Sequence, residues 1–273
     1  MGHFYTDNPP RPFYEVPYAD KKREGETRPA TISDAKKAGA FPSPNTVMNI
    51  IDKPGLLYWK LQMMADAVYD TIIELGGDWN TYGWAKSYDK YKQLTEEAAN
   101  KGTDIHNAIE KSLYGEPFDD EYIDTVKAVL DWLIKEKITP TGIEQVFVNK
   151  GIGIGGMIDV VDDNSMSIVD WKTIDTIGRY DGVYIEKDNN RIRRIDFHVK
   201  DKLPLIASYS IGIFDTLDNV NLWNVFVSRD EPGVIMPRLY TKEEAEWGWK
   251  KFCCAYELWS HDNDYDPRRD GEE

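Results

Sequence analysis

The sequence predicts an α/β fold in which helices flank one mixed central β-sheet. Three observations lead to this prediction. Apolar residues recur at three- and four-residue spacing over residues 45–137, which is the pattern of amphipathic helices. Short β-branched runs, separated by Gly, Asp and Asn, replace that pattern over residues 143–172. Helical and strand-like segments then alternate to residue 259, as expected for a sheet covered by helices.

The composition is that of a globular chain. Its 273 residues are 41% hydrophobic and 30% charged, enough to form one large domain with a buried core. No apolar run suits a membrane span and no secretory signal is visible, so we expect a cytoplasmic protein with no membrane partner. The two cysteines, Cys253 and Cys254, are adjacent, which excludes a disulfide framework and a four-cysteine zinc or iron–sulfur site.

Three parts of the chain differ in composition. Residues 1–44 are rich in proline and contain a mixed charge run at residues 20–24, so we expect an N-terminal arm of extended or loosely packed backbone. Residues 45–260 carry the helix and strand patterns and form the predicted domain. Residues 261–273 are polar, and we expect a frayed tail.

The first half of the predicted domain is an N-terminal helical segment. A long helix is expected from Pro54 to about Leu75, where two glycines end it. A linker rich in Trp, Tyr and Gly then precedes a helix at about 94–113, with a break expected near Gly102, and another helix at about 120–137. The apolar stripe of the long helix comprises Leu57, Leu61, Met64, Ala65, Val68, Ile72 and Leu75.

The second half begins with a predicted three-stranded meander and ends with a helix. That last helix begins with a capping box, formed by Thr241 and Glu244, and should run to about Trp259. The predicted strands are 143–149, 152–161, 166–172, fragments around 183–186 and 192–199, then 222–228 and 234–239, with a helix at 203–217 between the last two groups.

The chain is strongly acidic, with 33 basic against 48 acidic residues and a formal net charge of -15. This sign is unfavourable for a protein that binds nucleic acid passively, because non-specific affinity comes from Lys and Arg neutralising phosphates. An enzyme that holds DNA in a small cleft, with local basic residues or a metal ion, remains compatible with the charge.

Charged residues interrupt two otherwise apolar strands of the meander. Asp159 lies in the second strand, and Asp170 and Lys172 lie in the third. Ionised side chains are costly in a core strand unless they are paired or bind a metal. With a turn centred at residues 163–164, Asp159 shares a sheet face with Asp170 and Lys172, whereas Trp171 points to the other face. Diagonal neighbours across a strand pair are roughly 7–8 Å apart, close enough for two carboxylates to bind one divalent ion.

Two carboxylates, a divalent ion and a lysine are a minimal set for hydrolysing a phosphodiester. The ion lowers the pKa of a bound water, and the lysine stabilises the developing negative charge. The alternative is a solvent-exposed strand face or a structural ion pair with no metal. Gly153, Gly155 and Gly156 favour the close approach of a ligand or backbone. They are not a dinucleotide fingerprint, because no helix follows them.

A second group of polar residues lies in the helix predicted at about 94–113. His106 and Glu110 are four residues apart and therefore share one face of the helix. Such a pair either contacts a metal or substrate or only stabilises the helix, and the spacing does not distinguish these two interpretations.

Together these segments resemble the PD-(D/E)XK nuclease superfamily, specifically its RecB-like branch, which includes phage exonucleases and the mitochondrial genome-maintenance exonuclease. The resemblance extends from about Pro42 onward and implies a restriction-endonuclease-like core. Four blocks carry it: PSPNTVMNIIDKPGLLYWK as the N-terminal helical segment, GTDIHNAIE as a helix with a metal-binding histidine, GGMIDVV with IVDWKT as the catalytic hairpin, and LIASYS as a helix that bears a glutamine and a tyrosine.

The resemblance also implies roles for individual residues. It implies that Mg²⁺ or Mn²⁺ is ligated by His106, Asp159, Asp170 and the backbone carbonyl of Trp171. Lys172 is the implied catalytic lysine, with Glu110 and Glu144 beside the ligands or on a second metal and Tyr209 in contact with DNA. Two positions depart from the family pattern: Leu205 replaces the helix glutamine, and Asp170 stands where many members have glutamate.

The implied function is a metal-dependent DNA exonuclease in recombination, replication or repair, of viral or bacterial origin. Whether a strand-annealing or replication protein is a further partner stays open. Two alternatives stay open: a non-catalytic member of the fold that binds nucleic acid or protein, and an endonuclease. Arg191, Arg193 and Arg194 form either a basic patch for DNA or a solvated strand face. The sequence leaves the oligomeric state open.

Overall fold

In a computed structural model, the chain forms a five-stranded mixed sheet with helices on both faces, which confirms the predicted α/β class. The structure describes residues 2–18, 23–77, 81–174, 184–187, 190–193 and 195–268. At 54–55, 81, 184–187, 190–193 and 195–201 it describes the backbone alone. Within the described part of the chain, no helix combines the length and the apolar character that crossing a bilayer requires.

The helices are α1 (Ile32–Ala38), α2 (Pro44–Met48), α3 (Pro54–Glu74), α4 (Thr81–Leu113), α5 (Ile123–Glu136), α6 (Ile195–Phe214) and α7 (Lys242–Asn263). The strands of the N-terminal segment are β1 (Phe4–Asp7), β2 (Pro10–Phe13), β3 (Glu15–Pro17), β4 (Thr27–Pro29) and β5 (Phe41–Pro42). The later strands are β6 (Gly142–Asn149), β7 (Ile154–Asp162), β8 (Ser167–Ile174), β9 (Tyr184–Lys187), β10 (Asn190–Arg193), β11 (Asn221–Ser228) and β12 (Ile235–Leu239).

The central sheet has the strand order β12-β11-β8-β7-β6. Its only parallel pair is β8 with β11, and α6 lies in the connection between them. One face packs against α6 and α7 around Ile206 and Phe252. The other face packs against α4 and α5 around Ile105 and Val129. The sheet is thus buried on both sides, which explains the long apolar runs in its central strands.

β7 and β8 are paired over only three residues of each strand, from Val160↔Val169 to Asp162↔Ser167. β8 nevertheless remains paired with β11 to Ile174, and β7 remains paired with β6 back to Ile154. The two central strands therefore separate after Val160 and Val169. The next residues on the two strands are Asp159 and Asp170.

The predicted linker before residue 94 is wrong, because α4 is one continuous helix from Thr81 to Leu113. Gly102 does not interrupt it. A Cβ atom at Gly102 would lie 2.7 Å from Thr173 Oγ1, so the missing side chain lets α4 approach β8 closely. The helix tolerates a glycine, which costs about 1 kcal/mol relative to alanine, because tertiary packing holds the helix in place.

The strand fragment predicted at 192–199 is wrong beyond its first residues. β10 ends at Arg193, and α6 extends from Ile195 through Pro204. The sequence pattern starts this helix at residue 203, because proline is normally found in the first turn of a helix. Packing on the sheet and on α7 keeps the helix continuous across the proline.

The described residues of the N-terminal segment form short strands and the helix α1, and they pack against the rest of the chain. Phe4 is part of the core under the central sheet, and Phe41 is fully buried. β1 pairs with β2 and β5, and a Cβ atom at Gly155 of β7 would lie 2.5 Å from the Cβ atom of Tyr5. The prolines keep the backbone extended, whereas the aromatic side chains gain free energy by leaving water.

The described part of the C-terminal tail, to residue 268, also packs against the rest of the chain. α7 continues to Asn263, and the ring of Tyr265 packs on Trp259 with a centroid separation of 6.2 Å. The Tyr265 hydroxyl donates to the Ala40 carbonyl at 2.9 Å. The capping box of Thr241 and Glu244 at the start of α7 is confirmed.

A methyl group at residue 155 should push β1 away from β7. We expect Gly155→Ala to lower the free energy of unfolding by about 1–3 kcal/mol and to speed limited proteolysis of residues 2–18. Gly151→Ala is the matched control, because its added Cβ would lie 3.5 Å from Asn149 Oδ1, an ordinary contact. Equal stability of the two variants would contradict tight packing of β1 on β7.

Candidate functional site

A row of polar residues crosses the whole central sheet. β8 pairs Asp170 with Asn224 of β11, and β11 pairs Asn224 with Arg238 of β12. One further step along the β7–β8 register places Asp159 opposite Asp170, and the β6–β7 register places Glu144 opposite Asp159. Three carboxylates therefore lie side by side where β7 and β8 separate.

The turn between β7 and β8 corrects the predicted register. A turn centred at 163–164 would make Asp159 and Asp170 diagonal neighbours, but the observed register, continued one residue past its last pair, places them opposite each other. The Asp162 carboxylate explains the shift, because it accepts hydrogen bonds from Asn164 N at 3.0 Å and from Ser165 Oγ at 2.7 Å. These bonds and the positive φ of 47° at Met166 move the turn toward β8.

Asp159 is held at the point where the β7–β8 ladder ends. Its Oδ2 accepts a hydrogen bond from the backbone N–H of Trp171 at 2.6 Å, in place of a strand carbonyl. The Trp171 side chain points away from this carboxylate and packs on Trp132, as predicted for the opposite face. Burial and then the charge of Asp170 raise the pKa of Asp159 well above its usual value, although Lys172 partly opposes this.

Asp170 and Lys172 form a buried ion pair with 2.6 Å between Oδ1 and Nζ. The side chains are 7% and 23% exposed, respectively, so solvent screens the pair weakly. Burial alone would lower the pKa of Lys172, but the charges of Asp170 and Asp159 outweigh burial and raise it. Lys172 is therefore a cation at neutral pH.

Asn224 and Tyr240 orient the second oxygen of Asp170. Asn224 Nδ2 donates to Asp170 Oδ2 at 2.6 Å, and the Tyr240 hydroxyl donates to Asn224 Oδ1 at 2.8 Å. Both side chains are buried. Sequence analysis did not identify either residue. The sequence contained one signal for Asn224: it is a single amide within the apolar strand LWNVFV. A buried amide, like a buried carboxylate, needs a hydrogen-bond partner.

His106 approaches the carboxylates from α4. Its Nδ1 lies 3.8 Å from Asp159 Oδ1, on the side of Asp159 that the Trp171 N–H leaves free. Burial and the charge of Lys172 lower the pKa of His106 to about 4, so the imidazole is neutral at pH 7. Glu110 lies one turn further along the same helix and acts electrostatically on Glu144.

Glu144 is the distorted member of the row. Its φ is 48°, a left-handed conformation that is rare for a residue with a long side chain. Burial and the charge of Glu110 raise the pKa of Glu144, and a hydrogen bond with Asp159 partly offsets this. Tyr5 and Tyr14 of the N-terminal segment, whose hydroxyls are 2.5 Å apart, also experience the charge of Glu144.

Tyr209 is a residue of α6 that lies close enough to Asp159 and Asp170 to experience their charges. It is buried, and its ring packs edge-on against Phe147 with 6.2 Å between the ring centroids. Burial and then the charges of Asp170 and Asp159 raise its pKa well above the usual value. Leu205 is also buried, in the core between α6 and the sheet. A role for Tyr209 in DNA binding remains a prediction.

The three arginines of the predicted basic patch cannot be placed in the site. Arg191 and Arg193 belong to β10, where the backbone alone is described, and Arg194 lies outside the described residues. Their role stays a prediction.

The metal predicted for this site can be tested against its donor atoms. Among the described residues, no three His, Cys, Asp or Glu side chains are arranged to hold a metal ion as they stand. The carboxylate oxygens nevertheless suit Mg²⁺ or Mn²⁺, and a neutral imidazole nitrogen can add a ligand to a transition metal such as Mn²⁺. His106 Nδ1 and Asp159 Oδ1, 3.8 Å apart, are too distant for a hydrogen bond but able to contact one ion. Asp170 can join them only if Lys172 moves away from its Oδ1.

No protein-family model and no curated protein matches the chain. Among solved structures, it is similar to a protein from Eubacterium rectale described as "Putative exonuclease", with a TM-score of 0.44 and 8% sequence identity. The similarity covers 60% of this chain and 68% of that chain. Because both the sequence identity and the TM-score are low, any function proposed for this chain rests on its own site residues.

Removing the Asn224 amide should leave a buried Asp170 oxygen without its donor. Hydrogen bonds to charged groups contribute about 1.5–3 kcal/mol, so we expect Asn224→Ala to cost about 2–3 kcal/mol of unfolding free energy and Tyr240→Phe about 1 kcal/mol. The double variant should cost less than the sum, because Tyr240 acts through Asn224. Chemical denaturation measures all three, with Asn221→Ala on the exposed part of β11 as control. If the two single-variant losses of unfolding free energy added exactly in the double variant, Tyr240 would not act through Asn224.

Without metal, Asp159 should destabilise the fold at neutral pH. Its raised pKa means that the folded state keeps a proton that the unfolded chain has released above about pH 4. Stability should therefore fall as the pH rises through this range. We expect Asp159→Asn to raise the thermal unfolding midpoint at pH 7 in EDTA and to flatten its pH dependence, while Asp163→Asn does neither. A lower unfolding midpoint for Asp159→Asn would contradict the inference that the charge of Asp159 destabilises the folded state.

Proposed function

We propose that this protein is a metal-dependent deoxyribonuclease that hydrolyses phosphodiester bonds at DNA ends. One observation carries the proposal: Asp159, Asp170 and Lys172 meet His106 in the opening between β7 and β8, where strand pairing has stopped. The resemblance of the four sequence blocks to RecB-like exonucleases supports the same reaction class.

The chain supplies the electrostatic part of phosphodiester hydrolysis. Water attacks phosphorus as one ester P–O bond breaks, and negative charge builds up on the phosphate oxygens. Lys172 is a cation whose strand position is buried, so it can stabilise that charge and orient the attacking water. It is not a general base, because Asp170 lies 2.6 Å away and keeps it protonated.

His106, Asp159 and Asp170 would hold the divalent ion. When bound, Mg²⁺ or Mn²⁺ would polarise the phosphate and lower the pKa of the attacking water. Asn224 holds one oxygen of Asp170, and the other oxygen, now paired with Lys172, is the one that could bind the ion. The chain has an overall charge of -15, so a positively charged centre here would also offset repulsion between protein and DNA.

The decisive experiment is digestion of linear single- and double-stranded DNA, labelled at either end, with Mg²⁺, Mn²⁺ or EDTA. We expect metal-dependent shortening from ends, reduced at least about 100-fold by Lys172→Ala and by Asp159→Asn. Lys135→Ala and Asp262→Asn are matched controls, because these side chains are 78% and 63% exposed on helices away from the site.

Other outcomes separate the alternatives. Cleavage of closed circular DNA would assign an endonuclease to the same site. Intact substrates in every condition, or full activity in folded Lys172→Ala protein, would refute catalysis by this group and favour a non-catalytic binding protein.

A further inference from the structure

Two tyrosines of the N-terminal segment meet beside the three carboxylates that lie side by side in β6, β7 and β8. Tyr5 belongs to β1 and Tyr14 follows β2, and their hydroxyl oxygens are 2.5 Å apart. Both phenols experience the charge of Glu144, the carboxylate on β6. Tyr209 of α6, which experiences the charges of the other two carboxylates, also experiences both phenols. This tyrosine pair therefore borders the candidate site, although it precedes the part of the chain that resembles RecB-like exonucleases.

The tyrosine pair has one hydroxyl hydrogen more than its internal bond uses. Two phenols carry two such hydrogens, and the bond between them takes one. Tyr5 is only 3% exposed, so its hydrogen is shielded from water and is donated to Tyr14. Tyr14 is half-buried and keeps its own hydrogen. Since the described residues provide neither hydroxyl with another hydrogen-bond partner, this hydrogen is available to an acceptor from outside the chain.

The surroundings keep both hydroxyls of the tyrosine pair protonated. Burial is the main cause that raises the pKa of each phenol, and the charge of Glu144 adds to it. The pair is therefore uncharged at neutral pH. A lysine in this place would be drawn into an ion pair with Glu144, whereas a phenol carries no full charge that would hold it there. Tyr14 thus offers a hydrogen-bond donor beside a carboxylate without being neutralised by it.

The N-terminal segment holds this donor in place. The backbone of His3 forms two hydrogen bonds with Thr46 Oγ1, at 2.8 and 3.0 Å. The ring of His3 packs on the ring of Tyr14, with 4.7 Å between the ring centroids. Further along β1, Asp7 forms an ion pair with Lys150 at 2.7 Å, which ties this strand to the end of β6. A donor that is already ordered costs little conformational entropy when a ligand binds.

We propose, resting on the nuclease function above, that Tyr14 donates a hydrogen bond to a DNA phosphate next to the hydrolysed one, and that Tyr5 positions Tyr14 for this contact. Phosphates follow one another along a strand, so a strand with one phosphate at Lys172 carries others past the adjoining parts of the site. Tyrosine hydroxyls are among the groups that contact DNA phosphates and set the position of a strand. A hydrogen bond to a charged oxygen is also stronger than one to a neutral acceptor.

Steady-state kinetics of Tyr14→Phe on an end-labelled oligonucleotide test the contact, because this variant keeps the ring and loses only the hydroxyl. We expect KM to rise about 10-fold with kcat unchanged, since the phosphate that Tyr14 holds does not react and is bound equally in the ground and transition states. Lys172→Ala should instead lower kcat. Tyr69→Phe is the matched control on α3, where the side chain is 66% exposed, and it should behave like the wild type.

Oligonucleotides in which one phosphate at a time is replaced by an uncharged methylphosphonate locate the contact. In a Lys172→Ala background, which should bind DNA without cutting it, fluorescence anisotropy measures the dissociation constant for each position. At one position, the replacement should weaken binding about 10-fold more when the Tyr14 hydroxyl is present than in Tyr14→Phe. Tyr5→Phe should weaken binding less than Tyr14→Phe does, and the double tyrosine variant should bind as Tyr14→Phe does, because Tyr5 acts through Tyr14.

The outcomes separate this contact from the nuclease function itself. An unchanged KM in folded, active Tyr14→Phe protein, or methylphosphonate effects that are the same with and without the hydroxyl, would overturn the contact and leave the nuclease standing. A loss of kcat at unchanged KM would also overturn it and would assign Tyr14 to the reacting centre. If the wild type neither cuts nor binds DNA, the proposed function fails and the contact fails with it.

Discussion

The separation of β7 and β8 after three paired residues is the constraint on which the site depends. In a fully paired sheet the Trp171 N–H would bond to a strand carbonyl, and Asp159 would lose the donor that holds its Oδ2. Because β11 holds β8 and β6 holds β7, the two strands can part without either one losing its place in the sheet. His106 of α4 approaches the carboxylates at this opening, and Tyr209 of α6, in the opposite helix layer, experiences their charges.

The electrostatics of this opening oppose folding. Three carboxylates in adjacent strands face one lysine, and burial raises the pKa of Asp159 and Glu144. Like charges side by side destabilise a sheet, so the arrangement must be stabilised elsewhere. Asn224, Tyr240 and the Trp171 N–H provide part of that support by fixing carboxylate oxygens. Such unfavourable crowding is typical of sites that bind cations or stabilise transition states.

The N-terminal segment and α3 show how apolar surface is distributed outside the sheet. The segment buries Phe4, Tyr5 and Phe41 and brings the Tyr5 and Tyr14 hydroxyls within the electrostatic influence of Glu144. α3 instead packs through small residues and leaves its larger ones outside. Both segments are amphipathic, but only the three-dimensional arrangement shows which of them finds its apolar partner within the chain.

Local patterns in the sequence were sufficient for the α/β class, the long α3 helix, the meander and the capping box of α7. They also predicted that Asp159, Asp170 and Lys172 share a face, because alternation along a strand is a property of the backbone alone. The turn register, the continuity of α4 past Gly102, the packing of residues 2–18 and the roles of Asn224 and Tyr240 depended on tertiary structure. Each is decided by contacts between residues far apart in the chain, whose free energies exceed local preferences and leave no periodic signal in the sequence.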